Sequence, residues 1–362
     1  MFAYIIRRLL LIVPTLLGIM IINFAIINTA PGGPIDNIIM QMRGSKAIGE
    51  RAGGTEGNEV RNTAPQPGQE SRASRGLEKE LRDRLTKQFG LDRPFWERFA
   101  LMMTNYATFD FGESFFKGRS VMELVIDRIP VSISLSLWVM ILTYLVCIPL
   151  GIAKAVKDGT RFDTWTSTVV SIGYAIPSFL FALLLIIMFS TGLVAKWFPL
   201  RGLVSDNWRD MGFFELAVDY FWHIALPVIA MVIGGFATLT LLTKNSFLEE
   251  IRKQYVITAR AKGLTERRVL YGHVFRNAML IVIAGFPAAF ISILFTGSLL
   301  IEVMFSLEGL GLLGFEAALG RDFPVLFGTL YFMSLMGLVV NLISDLMYAV
   351  VDPRIDFEAR GG

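Results

Sequence analysis

Long apolar runs alternate with polar segments along the chain, and six of these runs carry no charged residue. A transmembrane helix needs ~20 apolar residues to cross the ~30 Å hydrocarbon core of a bilayer. Each run is long enough, so the pattern predicts an all-α integral membrane protein with six transmembrane helices. The predicted spans are Leu9–Asn28, Ile129–Ala153, one span within Thr164–Ala195, Ile224–Thr243, Ala278–Ile301 and Phe323–Ser344.

The first apolar run raises the question of a cleaved signal peptide. It is longer than a signal-peptide core, and the residues that follow, Ala-Pro-Gly-Gly-Pro at 30–34, make a poor cleavage site. We therefore interpret the run as a retained span.

Lysine and arginine in the short loops predict the orientation. With the amino terminus inside, the inner segments carry 15 Lys and Arg residues and the short outer segments carry 4. Both termini are then cytoplasmic. The predicted organisation is an amino-terminal transmembrane helix (1–30), a periplasmic segment (31–128), a five-helix core (129–349) with a cytoplasmic loop (244–277), and a cytoplasmic tail (350–362).

Composition changes this picture by excluding several classes of function. Hydrophobic residues make up 54% of the 362-residue chain and charged residues 18%, whereas a soluble domain has about 25% charged residues. A single cysteine, Cys147, excludes an internal disulfide, and two distant histidines argue against a zinc site. No predicted span carries Asp, Glu, Lys, Arg or His near its middle, which argues against a proton relay or a charged pore.

The chain also lacks the short motifs of metalloproteases, serine hydrolases and phosphate-binding loops. It is therefore not predicted to be an enzyme. If it transports against a gradient, the nucleotide chemistry must lie on another chain.

The periplasmic segment divides into two parts. Residues 43–76 are rich in Gly, Ser, Glu, Gln and Asn, so they are predicted to form a flexible loop. Residues 77–89 have leucines on one helical face, and residues 93–112 are aromatic-rich and amphipathic. The latter stretch fits either a helix lying on the membrane surface or a helix packed on the outer ends of the spans.

The cytoplasmic loop is basic, polar and lies between two uncharged runs. The pattern predicts a helix through Asn245–Lys262, a C′ glycine at Gly263, and a second helix capped by Thr265-Glu266. The small residues Ala259 and Ala261 would allow a partner to approach the tip. Charge alone is equally compatible with a solvated loop that obeys the positive-inside rule.

Proline and glycine within the spans suggest helix bends. Tyr174 and Pro177 mark one candidate bend around a central translocation path, and Gly285 and Pro287 mark another. Close helix packing is the alternative role for such residues.

The cytoplasmic loop resembles the EAA-type loop of permease subunits of ATP-binding-cassette (ABC) importers. TARAKGL (258–264) and HVFRNA (273–278) are similar to the dipeptide, oligopeptide and nickel branch, and so are further motifs spread over nearly the whole chain. These are YIIRRLLLIVPTLLGI (4–19), APGGP (30–34), VSISLSL (131–137), IPSFLFALLL (176–185), FPLRG (198–202), FTGSLLIEVMFSLEGLGLLG (295–314), RDFP (321–324) and VDPRID (351–356).

Within that branch, the long Gly/Ser-rich outer loop and the stretch 242–263 are most similar to the Yej subgroup. That similarity implies uptake of oligopeptides and of the peptide-nucleotide antibiotic microcin C. Two departures stand out. Ile257-Thr258-Ala259 replaces the glutamate of the EAA motif, and Glu308 stands where relatives often have proline.

The resemblance implies the type-1 ABC importer permease fold, with six spans in the bacterial inner membrane. It also implies that the loop docks into a cytoplasmic ATPase, which binds ATP and Mg²⁺ while this chain binds no cofactor. The implied docking residues are Thr258, Ala259, Arg260, Ala261, Lys262 and Gly263.

The implied partners are a second homologous permease, a periplasmic peptide-binding protein and membrane lipid, with no nucleic acid. The alternative is a secondary transporter or channel of small solutes, which would favour buried charges and inverted repeats. A membrane scaffold or intramembrane enzyme is a third possibility, without a catalytic motif to support it.

Overall fold

The computed structural model describes residues 2–29, 93–292 and 299–351, and these form helices joined by turns. The all-α prediction is confirmed for them. The helices are α1 (Phe2–Thr29), α2 (Phe95–Ala107), α3 (Val121–Val156), α4 (Arg161–Ala175), α5 (Ser178–Leu185), α6 (Phe213–Ile251), α7 (Gln254–Ala261), α8 (Glu266–Val269), α9 (Phe275–Ala284), α10 (Phe286–Ser292), α11 (Leu299–Met304), α12 (Leu310–Gly320) and α13 (Phe323–Val351).

Four helices among the described residues are long and apolar enough to cross a membrane: Ile5–Ala25 of α1, α3, α6, and Phe323–Met347 of α13. They coincide with the first, second, fourth and sixth predicted spans. The helices α3 and α6 extend well beyond the apolar runs, to 36 and 39 residues. The extensions contain strong helix formers, such as Glu123 and Lys154 on α3 and Glu249 on α6, and no proline.

The third predicted span is not one straight helix. It consists of α4 and then α5 with a π-helical turn at Ile186–Ser190, and the two parts are bent by 90°. The break falls at Ile176 and Pro177, where Ile176 takes an extended conformation, as residues before proline commonly do. The bent pair would bring the number of candidate spans in the described residues to five.

The fifth predicted span, Ala278–Ile301, is also interrupted, at the position of the candidate bend formed by Gly285 and Pro287. The helix α9 ends at Ala284, a turn follows at Gly285, and α10 begins at Phe286. Pro287 lacks a backbone N–H and so cannot extend the hydrogen-bond ladder of α9. Six spans with cytoplasmic termini therefore remain a prediction.

The described chain divides into two compact units. The larger comprises, among the described residues, 2–16, 124–292, 299–316 and 329–351. Its central helix is α6, which packs against α4, α5 and α9. One buried apolar cluster includes Leu135, Met231 and Ile301. A second cluster joins the carboxyl-terminal parts of α3 and α6 to α7, α8 and α9.

The smaller unit comprises, among the described residues, 17–29, 93–123 and 317–328. In it, Phe24 of α1 meets the rings of Phe95 and Phe99 of α2 at 5.0 and 5.4 Å, and that of Phe327 at 6.0 Å. The helix at 95–107 is thus packed on the ends of two long helices, which favours the second of the two alternatives for this stretch. The loop 43–76, the helical pattern at 77–89 and residues 352–362 of the tail lie outside the described residues.

Candidate functional site

The loop 244–277 contains a break that the sequence did not predict. The helix α6 ends at Ile251, Arg252 and Lys253 form a turn, and α7 starts at Gln254. The single predicted helix through Asn245–Lys262 is therefore wrong. Glu250 fastens the turn, because it accepts a hydrogen bond from the Lys253 ammonium at 2.5 Å and one from the Tyr255 hydroxyl at 2.8 Å. The hydrogen bond to Glu250 raises the pKa of Lys253.

Gly263 ends α7 as predicted. Its φ of +79° is the left-handed conformation that glycine adopts at little cost. The N–H of Gly263 donates to the Arg260 carbonyl at 2.9 Å, and that of Leu264 donates to the Ala259 carbonyl at 3.4 Å. These bonds close the last turn, so residues 254–263 form a short helix with a fixed end, which we call the elbow.

The second predicted helix does begin after Thr265, but without the predicted side-chain cap. Thr265 has the extended backbone of an N-cap residue, and its hydroxyl makes no capping hydrogen bond. The helix α8 is four residues long and passes through a π-helical turn at Leu270–Val274 into α9.

Five of the six predicted docking residues are exposed, and one is not. Thr258, Arg260, Ala261, Lys262 and Gly263 face solvent. Ala259 is 7% exposed and packs with Val256 of α7 in the second buried cluster. The i, i+3 spacing of Val256 and Ala259 was the available signal for this, since residues three apart share a helix face.

The exposed side of the elbow is cationic. Arg260 pairs with Glu266 at 2.9 Å, with side chains 44% and 74% exposed. Arg267 and Arg268 follow on the same exposed stretch. With Ile257 also half exposed, the elbow presents positive charge and a small apolar patch at the surface.

The residues predicted to bend helices do lie at breaks in helices. Tyr174 is 59% exposed at the end of α4, and Pro177 stands at the 90° bend. Gly285 separates α9 from α10, and Pro287 is the second residue of α10. Two cavities lie in the larger unit, one of about 350 Å³ beside Asp345 and one of about 520 Å³ beside Trp222. None of these four residues lines either cavity.

A cluster of buried charges is the main feature that the sequence did not predict. The carboxylate of Asp163 lies 2.9 Å from the ammonium of Lys154 and 2.7 Å from that of Lys244. Lys154 is fully buried. Asp158 pairs with Lys244 at 2.9 Å. We call these four residues the ionic cluster. They join α3, α4, α6 and the turn between α3 and α4.

A buried glutamate was also missed. Glu302 of α11 is fully buried and accepts hydrogen bonds from the Leu312 N–H at 2.8 Å and the Ser132 hydroxyl at 3.3 Å. Gly309 leaves room for it, because a Cβ there would lie 2.3 Å from the carboxyl group. Glu308, in the position where relatives often have proline, pairs with Arg128.

The long apolar helices and the bent apolar pair are those of a membrane-embedded protein. The sequence profile of the family described as "binding-protein-dependent transport system inner membrane component" matches residues 147–357. The chain belongs to this family and is a multi-pass inner-membrane protein, as the resemblance implied.

Full-length relatives narrow the class further. The chain is 57% identical over 360 residues to the "Peptidoglycan transport system permease protein YejB" of Agrobacterium fabrum, covering 99% of both chains. It is 56% identical over 365 residues to the "Inner membrane ABC transporter permease protein YejB" of Escherichia coli O157:H7, covering 99% of this chain and 100% of that one. The resemblance to the Yej subgroup is thereby confirmed.

A solved structure shows the same fold. A chain of the MetNI methionine ABC transporter, solved in inward-facing conformations, aligns with a TM-score of 0.50 at 15% identity. The alignment covers 64% of this chain and 97% of that chain.

Proposed function

We propose that the chain is one of two permease subunits of an ATP-driven importer of oligopeptides. The observation that carries the proposal is the exposed cationic elbow, which ends at the left-handed Gly263 and stands at the end of a 39-residue helix. An ATPase that docks on such an elbow can move the membrane helices without any nucleotide site on this chain.

The packing behind the elbow supports a mechanical role. Val256 and Ala259 anchor α7 in the buried cluster that contains Phe247 of α6 and Val274. Because closely packed side chains move together, a displacement of α7 is passed to α6 and α9. The exposed residues Thr258, Arg260, Ala261, Lys262 and Gly263 are then the docking surface, and Ala259 holds that surface in place.

The remaining partners follow from the family. A second homologous permease completes the path, a periplasmic binding protein delivers the cargo, and ATP and Mg²⁺ bind to the ATPase. The bends at Tyr174 and Pro177 and at Gly285 and Pro287 border the path. A path between two chains is physically sensible because one chain of this size is a small scaffold for a peptide-sized passage.

The topology that goes with this function has six spans and both termini in the cytoplasm. Residues 31–128 are periplasmic in this arrangement, and 129–349 form the core. The excess of lysine and arginine in the inner loops supports it. The interrupted segment 278–301 is the fifth span.

We propose oligopeptides and microcin C as cargo on the strength of the Yej resemblance. A second candidate is peptide-bearing peptidoglycan fragments, because the Agrobacterium relative is named a peptidoglycan transport permease. The alternative of a secondary transporter gains little from the buried charges: Lys154, Asp163 and Lys244 are paired with one another, and Glu302 is hydrogen-bonded.

Uptake by cells that lack their own permease and express this chain with its partners tests the proposal. We expect microcin C to inhibit the growth of these cells. If peptidoglycan fragments are also cargo, a radiolabelled peptidoglycan tripeptide should compete with microcin C for uptake. ATP depletion with the proton gradient kept intact should abolish uptake, whereas uptake that survives it would favour a secondary transporter. The purified chain alone should hydrolyse no ATP, and the complex should.

A further inference from the structure

The ionic cluster contains a carboxylate shared between three helices. Asp163, near the start of α4, contacts Lys154 of α3 and Lys244 of α6. Its position is fixed locally as well, since the Gly159 N–H donates to its carboxylate at 3.3 Å. Gly159 has a φ of +72°, which allows the tight turn that brings the end of α3 beside the start of α4.

The hydrogen bonds of Lys154 leave its ammonium little freedom. It donates to the Asp163 carbonyl at 2.9 Å, the Thr166 hydroxyl at 3.0 Å and the Ser167 hydroxyl at 2.6 Å. An ammonium group has three donors, and these partners, all on α4, use them. Lys154 therefore binds the first turns of α4 firmly to the end of α3.

The backbones of α3 and α6 pack closely against each other. A Cβ placed on Gly151 would lie 2.6 Å from the Thr243 Cβ and 2.9 Å from the Thr240 carbonyl oxygen. Gly151 is one turn before Lys154, and Thr243 directly precedes Lys244. The two ammonium groups are thus delivered to Asp163 from helices that touch at their backbones.

Contacts of the ionic cluster extend to the base of the elbow. Asp158 pairs with Lys244 at 2.9 Å and lies 3.8 Å from the guanidinium of Arg252. Arg252 belongs to the turn between α6 and α7. A continuous set of charged contacts therefore runs from the base of the elbow through Asp158 and Lys244 to Asp163 and the bent span.

Stability alone is a weak reason to keep this arrangement. A buried ion pair is often no more stabilising than a well-packed apolar pair of similar volume. The cluster does, however, add charged contacts between the bent span and the base of the elbow, beside the apolar packing of α6 on α4.

We propose that Asp163 is a positioning residue that transmits movement of the elbow to the bent span α4–α5. The proposal rests on the proposed function, and it adds a route of coupling separate from the apolar packing of α7. Without the Asp163 charge, the ATPase would still dock and hydrolyse ATP, but α4 would no longer follow the elbow.

The test uses the whole complex with Tyr174→Cys as a reporter at the end of α4. The native Cys147 is buried and serves as an unreactive background. The rate of labelling by a charged maleimide is measured without nucleotide and after vanadate trapping. With Asp163 intact we expect the two rates to differ by about tenfold, and with Asp163→Asn by less than about twofold.

ATP hydrolysis separates coupling from structural damage. The Asp163→Asn complex should hydrolyse ATP within about twofold of the unmodified rate, and Asp163→Glu, which keeps the charge, should restore the change in labelling. Arg161→Gln is the matched control, because it removes an exposed charge from the same turn and should leave the change intact.

A full nucleotide-dependent change in labelling rate in the Asp163→Asn complex would overturn the inference, and so would the absence of that change with Asp163 intact. Loss of ATP hydrolysis together with loss of the labelling change in Asp163→Asn would also overturn it. If Asp163→Asn does not assemble, Asp158→Asn decides by the same readout, since its side chain is 40% exposed. Failure of the proposed function itself would appear differently, as a complex in which no ATPase associates with the unmodified chain.

Discussion

Two ion pairs of equal length illustrate how differently this chain uses charge. Arg260 and Glu266 on the elbow are 2.9 Å apart, and so are Lys154 and Asp163 in the ionic cluster. The first pair is 44% and 74% exposed, and the second is 0% and 10% exposed. The two pairs therefore have the same N–O distance, but water reaches only the first pair.

Burial separates the charges that hold the fold from those that remain accessible at the surface. Water and salt screen the exposed pair, so it contributes little to stability. The buried pair is costly to break, since removing one member leaves the other charged and desolvated. The exposed pair on the elbow can consequently be broken and replaced by other contacts at little cost, whereas the buried pair cannot.

The largest effect is expected where the elbow is closed. Gly263→Pro should abolish uptake while the chain still inserts, because proline cannot adopt a φ of +79° and lacks the N–H that bonds to Arg260. Cellular uptake and the amount of chain in the membrane fraction are the measurements.

The control for that change is a pair of alanine variants. Gly118 also has a positive φ and open space around it, so Gly118→Ala and Gly263→Ala should each cost about 1 kcal/mol in backbone strain. Only the second should lower uptake. Equal effects on uptake would mean that strain, not docking, explains the proline result.

The next effect is expected in the ionic cluster. Lys154→Met should destabilise the larger unit by about 3–5 kcal/mol, because it leaves Asp163 buried with one cation fewer. A lower unfolding temperature of the purified complex would show this. Lys157→Met, which removes an exposed lysine of the same segment, should change that temperature little. If both variants behave alike, burial does not distinguish these charges.

A smaller effect is expected from the close contact that positions the cluster. Gly151→Ala should cost about 1–3 kcal/mol, because the added methyl group meets Thr243 and forces the helices apart. Gly234→Ala on α6 meets nothing within 4 Å and should stabilise slightly, by about 0.5–1 kcal/mol. Thermal unfolding of the two variants in parallel gives the comparison, and a reversed order would contradict the packing described.

The smallest effect is expected on the elbow surface. Glu266→Gln breaks the exposed pair with Arg260 and should change stability by less than about 1 kcal/mol. Unfolding temperatures at low and high salt measure this contribution. A loss as large as that of Lys154→Met would show that the exposed pair holds the fold after all.

The long helices could be predicted from sequence because uninterrupted apolar runs have few other solutions. The bends were harder to predict. Pro149 and Pro227 lie inside unbroken helices, whereas Pro177 stands at a 90° bend. A proline leaves a helix unbroken where neighbouring helices satisfy the backbone groups that it frees. A single sequence does not contain that information.

The elbow could be predicted from sequence better than the ionic cluster because its signal lies within a few neighbouring residues. A C′ glycine after a cationic last turn is a short-range signal, and Gly263 confirms it. The cluster depends on pairing between Asp163 and Lys244, which are 81 residues apart. Lys154 and Asp163 also fell in a predicted short loop, where charges are ordinary, so nothing marked them as buried.

The most direct test of the central claim is photo-crosslinking from Ala261, which is exposed near the tip of the elbow. With a benzophenone amino acid in place of Ala261 in the intact complex, we expect a covalent product with the ATPase subunit. The product should disappear when the probe replaces the buried Ala259. A probe at Ala261 that reacts only with lipid or water in an assembled, ATP-hydrolysing complex would contradict it.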